Sequence, residues 1–144
     1  MTISSPFPHH RPRRLRKDDF SRRLVREHHL RADDLIYPVF VLDQDEGSEA
    51  VSSMPGVERL GRSALFAAAE RCLTLGVPVL DLFPVIDASL KTPDGREAGN
   101  PEGLVPRTVR ELKRRFPELG IMTDVALDPY TSHGQDGLLD ETGY

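Results

Sequence analysis

Three aspartates and one histidine stand close together near the end of the chain: Asp124, Asp128, Asp136 and His133. Carboxylate oxygens bind hard cations such as magnesium or a monovalent cation, and they can also orient an amine or assist proton transfer. A histidine can ligate a metal or move protons near neutral pH. These residue types at this spacing indicate a pocket that binds cations or cationic groups.

Simpler interpretations of the same four side chains remain open. Asp124 would accept backbone hydrogen bonds at the end of a strand, and His133 would make hydrogen bonds within a loop. Asp128 precedes a proline and Asp136 precedes a glycine, and both pairs are common in turns.

Three apolar segments rich in β-forming residues predict the strands that would position this cluster, at 35–42, 77–86 and 120–127. The nearly continuous apolar run at 35–42 predicts a strand that is buried on both faces. Two segments of helical periodicity, 63–75 and 104–116, separate them. This alternation predicts an α/β fold with parallel strands and right-handed crossovers. Ligands of such folds gather where the strands end, and each predicted strand runs into a long polar loop there, at 43–57, at 87–103 and from 128 onward.

Finer features follow from the same patterns. Strand alternation would place Asp124, Ala126 and Asp128 on one side of the third strand, and glycine turns would let Asp136 return to that space. Ser63 is a candidate N-cap of the first long helix, and Gly76 is its candidate terminator. A short helix is expected to begin near Asp18.

Composition indicates a soluble globular protein, because 38% of the residues are hydrophobic and 29% are charged. No apolar run reaches membrane-spanning length and no signal sequence is recognised, so a cytoplasmic location is expected. Cys72 is the single cysteine, which excludes an internal disulfide and a zinc site made of several thiolates. Its place on an apolar helix face predicts a core residue.

Charge is divided unevenly along the chain. Residues 1–31 hold nine basic and three acidic residues, whereas residues 32–144 hold ten basic and twenty acidic residues. A basic arm of this kind could bind nucleic acid, an anionic membrane or the acidic body of a second copy. Only Phe20 could stack on a base among the clustered arginines, so neither nucleic acid nor a membrane is the expected partner.

The three lysines, Lys17, Lys91 and Lys113, are predicted to be solvated. None lies in an apolar strand, where desolvation would lower its pKa for Schiff-base chemistry. The chain therefore offers no candidate Schiff-base lysine.

Several segments together resemble one family, porphobilinogen synthase, also called delta-aminolevulinic acid dehydratase. The resemblance runs from about Arg13 to the last residue. Its segments are RLRKDDFSRRLVRE (14–27), SMPGVERL (53–60), LFPVID (82–87), NPEGL (100–104) and FPELGIMTDVALDPYTSHGQDG (116–137).

The resemblance implies that residues 32–144 are the first part, about three strands, of a (β/α)8 TIM barrel forming the catalytic domain. It implies that residues 1–31 are an extended arm that contacts a neighbouring subunit of a homo-octamer. The implied activity is that of a hydro-lyase: two 5-aminolevulinate molecules condense to porphobilinogen, with loss of two waters, in heme biosynthesis.

The resemblance also implies roles for the aspartates. Zinc-using members carry cysteines where Ala126, Asp128 and Asp136 stand here, so this chain is similar to the aspartate-type branch and zinc is not expected. Asp128 and Asp136 would lie at the substrate-binding mouth with magnesium or a monovalent cation. Asp124 matches a catalytic aspartate of the family.

Two departures accompany the resemblance. Gly99 stands where the family has an aromatic residue, which bears on the packing of that loop. The family's Schiff-base lysines and substrate-binding arginines match nothing in residues 1–144, so the chain is expected to be an inactive N-terminal fragment. Two other hypotheses stay open: a truncated, non-catalytic protein that associates with full-length subunits, and a free-standing cation-binding α/β module.

Overall fold

The computed structural model describes Pro8, Arg11 and residues 13–143, which divide into two compact units, Met1–Arg31 and Ala32–Tyr144. The other residues of the predicted arm lie outside the described part of the chain. In that part, no helix is both long enough and apolar enough to cross a membrane.

The first unit contains a 3-10 turn, Arg14–Arg16, followed by the short helix α1, Asp19–Leu24. The helix predicted near Asp18 is therefore confirmed. Ser21 is buried, and its hydroxyl donates to the carbonyl oxygens of Leu15 (3.1 Å) and Asp18 (2.9 Å). These bonds fold the turn onto the helix, which at two turns is too short to be stable by itself.

The second unit is built on a five-stranded sheet. Its strands in chain order are β1 (Ile36–Val41), β2 (Ser48–Ala50), β3 (Glu58–Leu60), β4 (Val79–Pro84) and β5 (Gly120–Thr123). Their order in the sheet is β2-β3-β1-β4-β5, and β2 runs antiparallel to β3 while the other neighbours are parallel. The three predicted parallel strands are confirmed as β1, β4 and β5.

The prediction of a plain loop over 43–57 is wrong, because β2 lies within it. Strands β2 and β3 have three residues each and are mostly exposed, so they lack the apolar runs that reveal a strand in sequence. The two strands form by pairing with each other and by pairing of β3 with the carboxyl end of β1. The sheet thus contains the three predicted parallel strands and, beside β1, the short pair β2 and β3.

Two long helices, α2 (Arg62–Leu75) and α3 (Leu104–Arg115), cover one face of the sheet. Helix α2 ends at Gly76, whose φ of 76° is the left-handed conformation that favours glycine, as predicted. The core between helices and sheet is a single apolar cluster: Val39, Val41, Leu65, Ala69, Cys72, Leu80, Leu82, Ile86, Leu104, Leu112, Phe116 and Leu119. The core position predicted for Cys72 is confirmed.

The beginning of α2 differs from its prediction. The N-cap is Gly61 rather than Ser63, and the first two helical amides donate to the carbonyl oxygens of Gln44 (2.9 Å) and Asp45 (3.0 Å). The loop after β1 thereby supplies the acceptors that a side-chain cap normally provides. The Ser63 hydroxyl donates instead to the carboxylate of Glu46 (2.7 Å).

The second face of the sheet is open to solvent. Ile36 is 48% exposed and Met122 is 43% exposed, although both belong to apolar strands. The apolar run of β1 predicted burial on both faces, and that prediction is wrong for Ile36, because no layer of the described chain covers this face. Strands with two apolar faces are typical of barrels and of doubly covered sheets.

Candidate active site

The carboxyl ends of β1, β4 and β5 meet at one edge of the sheet because these strands are parallel. The loops that follow β4 and β5 are joined there. The amide of Thr92 donates to the carbonyl oxygen of Tyr130 (3.1 Å), and the amide of Ser132 donates to the carbonyl oxygen of Thr92 (3.0 Å). We call this contact, formed by residues 92 and 130–132, the loop junction.

A glycine allows the two loops to approach closely. Gly95 has a φ of 61°, and a Cβ added there would lie 3.3 Å from the Cγ2 of Thr131. Thr131 itself is 1% exposed, and its hydroxyl donates to the carbonyl oxygen of Gln135 (2.9 Å). The loop after β5 is therefore held to its neighbour and folded back on itself.

The structure brings Asp128 and Asp136 together. The carboxylate of Asp136 accepts the amides of Leu127 (2.9 Å) and Asp128 (3.2 Å) through the same oxygen, Oδ1. These two bonds close the segment between the two aspartates into a loop. Backbone amides outside a strand or helix still require an acceptor, and the Asp136 carboxylate supplies it for Leu127 and Asp128.

The sequence placed Asp124 within the third strand, but in the structure it lies just beyond the end of β5. Strand β5 ends at Thr123, where Thr123 pairs with Leu82, so the predicted strand over 120–127 is too long. Residues 124–126 make no ladder with β4, and Val125 is 98% exposed. The outer edge of β5 has no neighbouring strand in the described chain, so nothing extends the pairing. The shared face expected for Asp124, Ala126 and Asp128 is therefore not formed by strand alternation.

His133 uses both ring nitrogens in backbone contacts. The amide of Gln135 donates to Nδ1 (3.2 Å), so Nδ1 is an acceptor and the ring proton of the neutral imidazole lies on Nε2. Nε2 is 3.1 Å from the carbonyl oxygen of Pro93, to which it donates. The loop hydrogen-bonding role left open in the sequence is the one observed, and it uses both ring nitrogens.

Carboxylate oxygens such as those of Asp128 and Asp136 are ligands that suit a hard cation, whereas zinc sites in proteins usually include nitrogen or sulfur ligands. Among the described residues, no group of three or more histidine, cysteine or acidic side chains is arranged to hold a metal. Magnesium, however, commonly keeps several waters and uses one or two carboxylates, which Asp128 and Asp136 can provide. Cys72 offers no alternative ligand, because it is buried in the core and burial raises the pKa of its thiol.

Two ionisable side chains near the loop junction have shifted pKa values. The Thr92 hydroxyl donates to Asp94 (2.6 Å) and holds the pKa of that carboxyl below its ordinary value. Burial raises the pKa of the Tyr130 phenol, and the negative charge of Glu97 raises it further. Glu97 is itself held by the side-chain amide of Asn100 (3.0 Å).

The lysines and Gly99 also have defined positions. Lys17 is exposed and Lys91 is partly exposed, whereas Lys113 donates from α3 to the carbonyl oxygens of Pro117 (2.8 Å) and Leu119. Lys113 is thus a backbone donor rather than a purely solvated group. A Cβ at Gly99 would meet nothing within 4 Å, so a side chain at this position would project into open space.

Sequence reasoning missed one acidic residue, Asp81. It lies in β4, and its Oδ1 is buried without a hydrogen-bond partner in the described chain. The signal was available, since Asp81 is a carboxylate within an apolar strand. Asp124 showed the same signal, a carboxylate within a predicted apolar strand, but it is exposed in the structure.

Parallel strands, helices on one face and joined polar loops at the carboxyl edge define a class of protein, the (β/α)8 barrel, of which this chain forms the N-terminal part. The family model described as delta-aminolevulinic acid dehydratase matches residues 9–143. The chain belongs to that family.

Individual relatives agree with this assignment. A delta-aminolevulinic acid dehydratase of Bradyrhizobium diazoefficiens is 51% identical over 129 residues, covering 90% of this chain and 36% of the relative. The chloroplastic protein of Glycine max is 44% identical over 136 residues, covering 94% and 33%. The chain spans about a third of the length of these curated relatives.

A solved structure is similar in both sequence and shape. It is the delta-aminolevulinic acid dehydratase (porphobilinogen synthase) of Toxoplasma gondii in complex with the reaction product porphobilinogen. The TM-score is 0.86 at 43% identity, and the match covers 94% of this chain and 38% of that chain.

Proposed function

We propose that the protein containing this chain is a porphobilinogen synthase, which condenses two 5-aminolevulinate molecules to porphobilinogen with loss of two waters. The family match over residues 9–143 carries the proposal. The Toxoplasma gondii neighbour, which is bound to porphobilinogen, supports the same substrate class. Because the chain spans about a third of its relatives, the activity is assigned to the longer protein.

The 144-residue chain alone is proposed to be inactive. The reaction that the family resemblance implies needs lysine amines that form Schiff bases with substrate, and such amines require a desolvated site. Lys17 is exposed, Lys91 lies in a loop and Lys113 is used by backbone carbonyls. The reactive amines would therefore come from residues beyond this chain.

Within this chain, Asp124, Asp128 and Asp136 are the proposed contributors to the active site. Asp124 follows β5 at the carboxyl edge, where its exposed carboxylate can orient a substrate amine or accept a proton. Asp128 and Asp136 would hold magnesium or a monovalent cation at the substrate mouth. Such a cation would supply positive charge for the substrate carboxylate.

The first unit is proposed to be an arm that contacts a second subunit in a homo-octamer. Leu15, Phe20 and Leu24 are large apolar residues that are 56%, 67% and 83% exposed. Exposed apolar residues on a short basic segment fit a protein interface better than a solvated tail.

The enzyme is proposed to act in the cytoplasm.

The proposal is tested by assaying purified full-length protein and residues 1–144 with 5-aminolevulinate and magnesium, and by measuring porphobilinogen colorimetrically. We expect turnover by the full-length protein and none by residues 1–144. Asp124→Asn should lower kcat at least tenfold, whereas Glu118→Gln, an exposed acidic control, should not. An inactive but folded full-length protein would refute the proposed function. Turnover by residues 1–144 would refute the proposal that the Schiff-base lysines lie outside this chain.

A further inference from the structure

Asp81 stands on the open face of the sheet, among apolar neighbours. In the register of the parallel strands it pairs with Pro38 of β1 and Met122 of β5, and paired residues point to the same side. Its neighbours along β4, Leu80 and Leu82, point the other way and are buried beneath the helices. Asp81 is the only ionisable residue that β1, β4 and β5 direct to the open face.

The surroundings of Asp81 favour a dry environment. In the next row toward the carboxyl edge, Phe40 and Phe83 pair with their ring centroids 6.1 Å apart. Even with this face uncovered, Oδ1 of Asp81 is out of contact with solvent. No hydrogen bond or ion pair to Asp81 comes from the described residues, so its buried Oδ1 lacks the donor that a buried polar atom normally has.

We infer that Asp81 binds a lysine or arginine side chain that another part of the full-length protein brings to the inner face of the barrel. The inference rests on the proposed function, because it requires that this chain belong to a longer barrel protein. Charge complementarity selects the occupant: a partner side chain on an otherwise apolar face must neutralise one carboxylate and donate hydrogen bonds to it.

Asp81 lies apart from the residues of the proposed active site. Asp124, Asp128 and Asp136 lie beyond the carboxyl end of β5, whereas Asp81 lies in register with the middle of that strand. The ion pair would therefore lie deeper in the barrel than the substrate mouth. Its role would be to fix the position of the strand that carries the basic residue.

The direct test is a crystal structure of the full-length protein. We expect a lysine or arginine nitrogen from a residue beyond Tyr144 within 4 Å of an Asp81 carboxylate oxygen. An Asp81 carboxylate that contacts only water, backbone amides or apolar side chains would overturn the inference. So would pairing with a basic residue of a second subunit.

Stability measurements test the pair independently. Asp81→Asn should lower the melting temperature of the full-length protein by ~5–10 °C, because the basic partner stays buried without its counter-ion. Glu118→Gln, the exposed control, should leave it unchanged. Replacing the basic partner by methionine should cost much less in an Asp81→Leu background than in the native background; equal losses in the two backgrounds would contradict the pairing.

The failure of this inference can be told from the failure of the proposed function. A full-length enzyme that forms porphobilinogen while Asp81 lacks a basic partner would refute the inference alone. A native polypeptide that ends at Tyr144 would contradict both.

Discussion

At the scale of single residues, the loop after β5 is shaped by polar side chains that satisfy backbone groups. Asp136 accepts two amides, His133 bridges Pro93 and Gln135, and Thr131 donates to the Gln135 carbonyl. The aspartates that suggested a cation pocket therefore also build the loop that presents them. The turn interpretation of the sequence is therefore the one that the structure shows for Asp136.

Removing the Asp136 carboxylate should loosen this loop. Asp136→Ala is expected to speed hydrogen exchange at the amides of Leu127 and Asp128 and to cost ~1 kcal/mol of loop stability, because both amides lose their acceptor. Asp140→Ala is the matched control, since Asp140 accepts the amide of Thr142 (2.8 Å) farther along the chain. Unchanged exchange in Asp136→Ala would show that other acceptors hold these amides.

Tyr130 gives a pH-dependent prediction. Its pKa is raised above the ordinary value of 10.0, so the folded state favours the neutral phenol. The stability that Tyr130 contributes is complete below pH 10 and is lost as the pH rises through the folded pKa. Spectrophotometric titration of the full-length protein should show Tyr130 ionising later than an exposed tyrosine, with Tyr130→Phe identifying the signal.

The charge of Glu97 should account for part of that shift. Glu97→Gln is expected to lower the pKa of Tyr130, because the negative charge that opposes ionisation is removed while the amide can still contact Asn100. Glu102→Gln, which changes the charge of an exposed residue paired with Arg110, is the control. A Tyr130 pKa that is equal in all three proteins would assign the shift to burial alone.

At the scale of elements, the sequence predicted those strands and helices that are defined by a pattern of apolar residues. β1, β4, β5 and the two long helices each bury a run or a stripe of apolar residues, and all five were predicted. The β2–β3 hairpin and the end of β5 depend on pairing between strands, which a local pattern does not contain. The cap of α2 was missed for the same reason, since its acceptors come from the loop after β1.

Gly61 tests this account of the α2 cap. A Cβ at Gly61 would lie 2.9 Å from the carbonyl oxygens of Glu46 and Gly47, and both are backbone atoms that cannot move cheaply. Gly61→Ala should therefore destabilise the full-length protein by about 1–3 kcal/mol in urea unfolding.

Gly99→Ala is the matched control for that substitution. A Cβ at Gly99 meets open space, so its effect should stay within about 0.5 kcal/mol. If the two variants were equally stable, the contact of Gly61 with the β1 loop would not limit the start of α2.

At the scale of the whole molecule, the described chain covers its sheet on one face only. Leu80 and Leu82 are buried beneath α2 and α3, whereas Ile36 and Met122 are exposed on the opposite face. A (β/α)8 barrel covers that second face with the side chains of its other strands. The open face is thus consistent with a chain that spans about a third of the length of its curated relatives.

Residues 1–144 expressed alone should behave as an incomplete fold. We expect them to bind a hydrophobic dye strongly and to self-associate in sedimentation velocity, because apolar strand faces and strand edges stay exposed. The full-length protein is the control and should bind little dye. A monomeric fragment with a cooperative melt and no dye binding would favour the free-standing module considered above.

The most direct test of the central claim, that this chain is the first part of a porphobilinogen synthase, is the intact mass of the native polypeptide. The 144 residues account for 16.1 kDa. The account predicts a mass of at least about twice that value, the size that a complete barrel requires. A native mass near 16.1 kDa would contradict it, and the non-catalytic protein that associates with full-length subunits would become the better description.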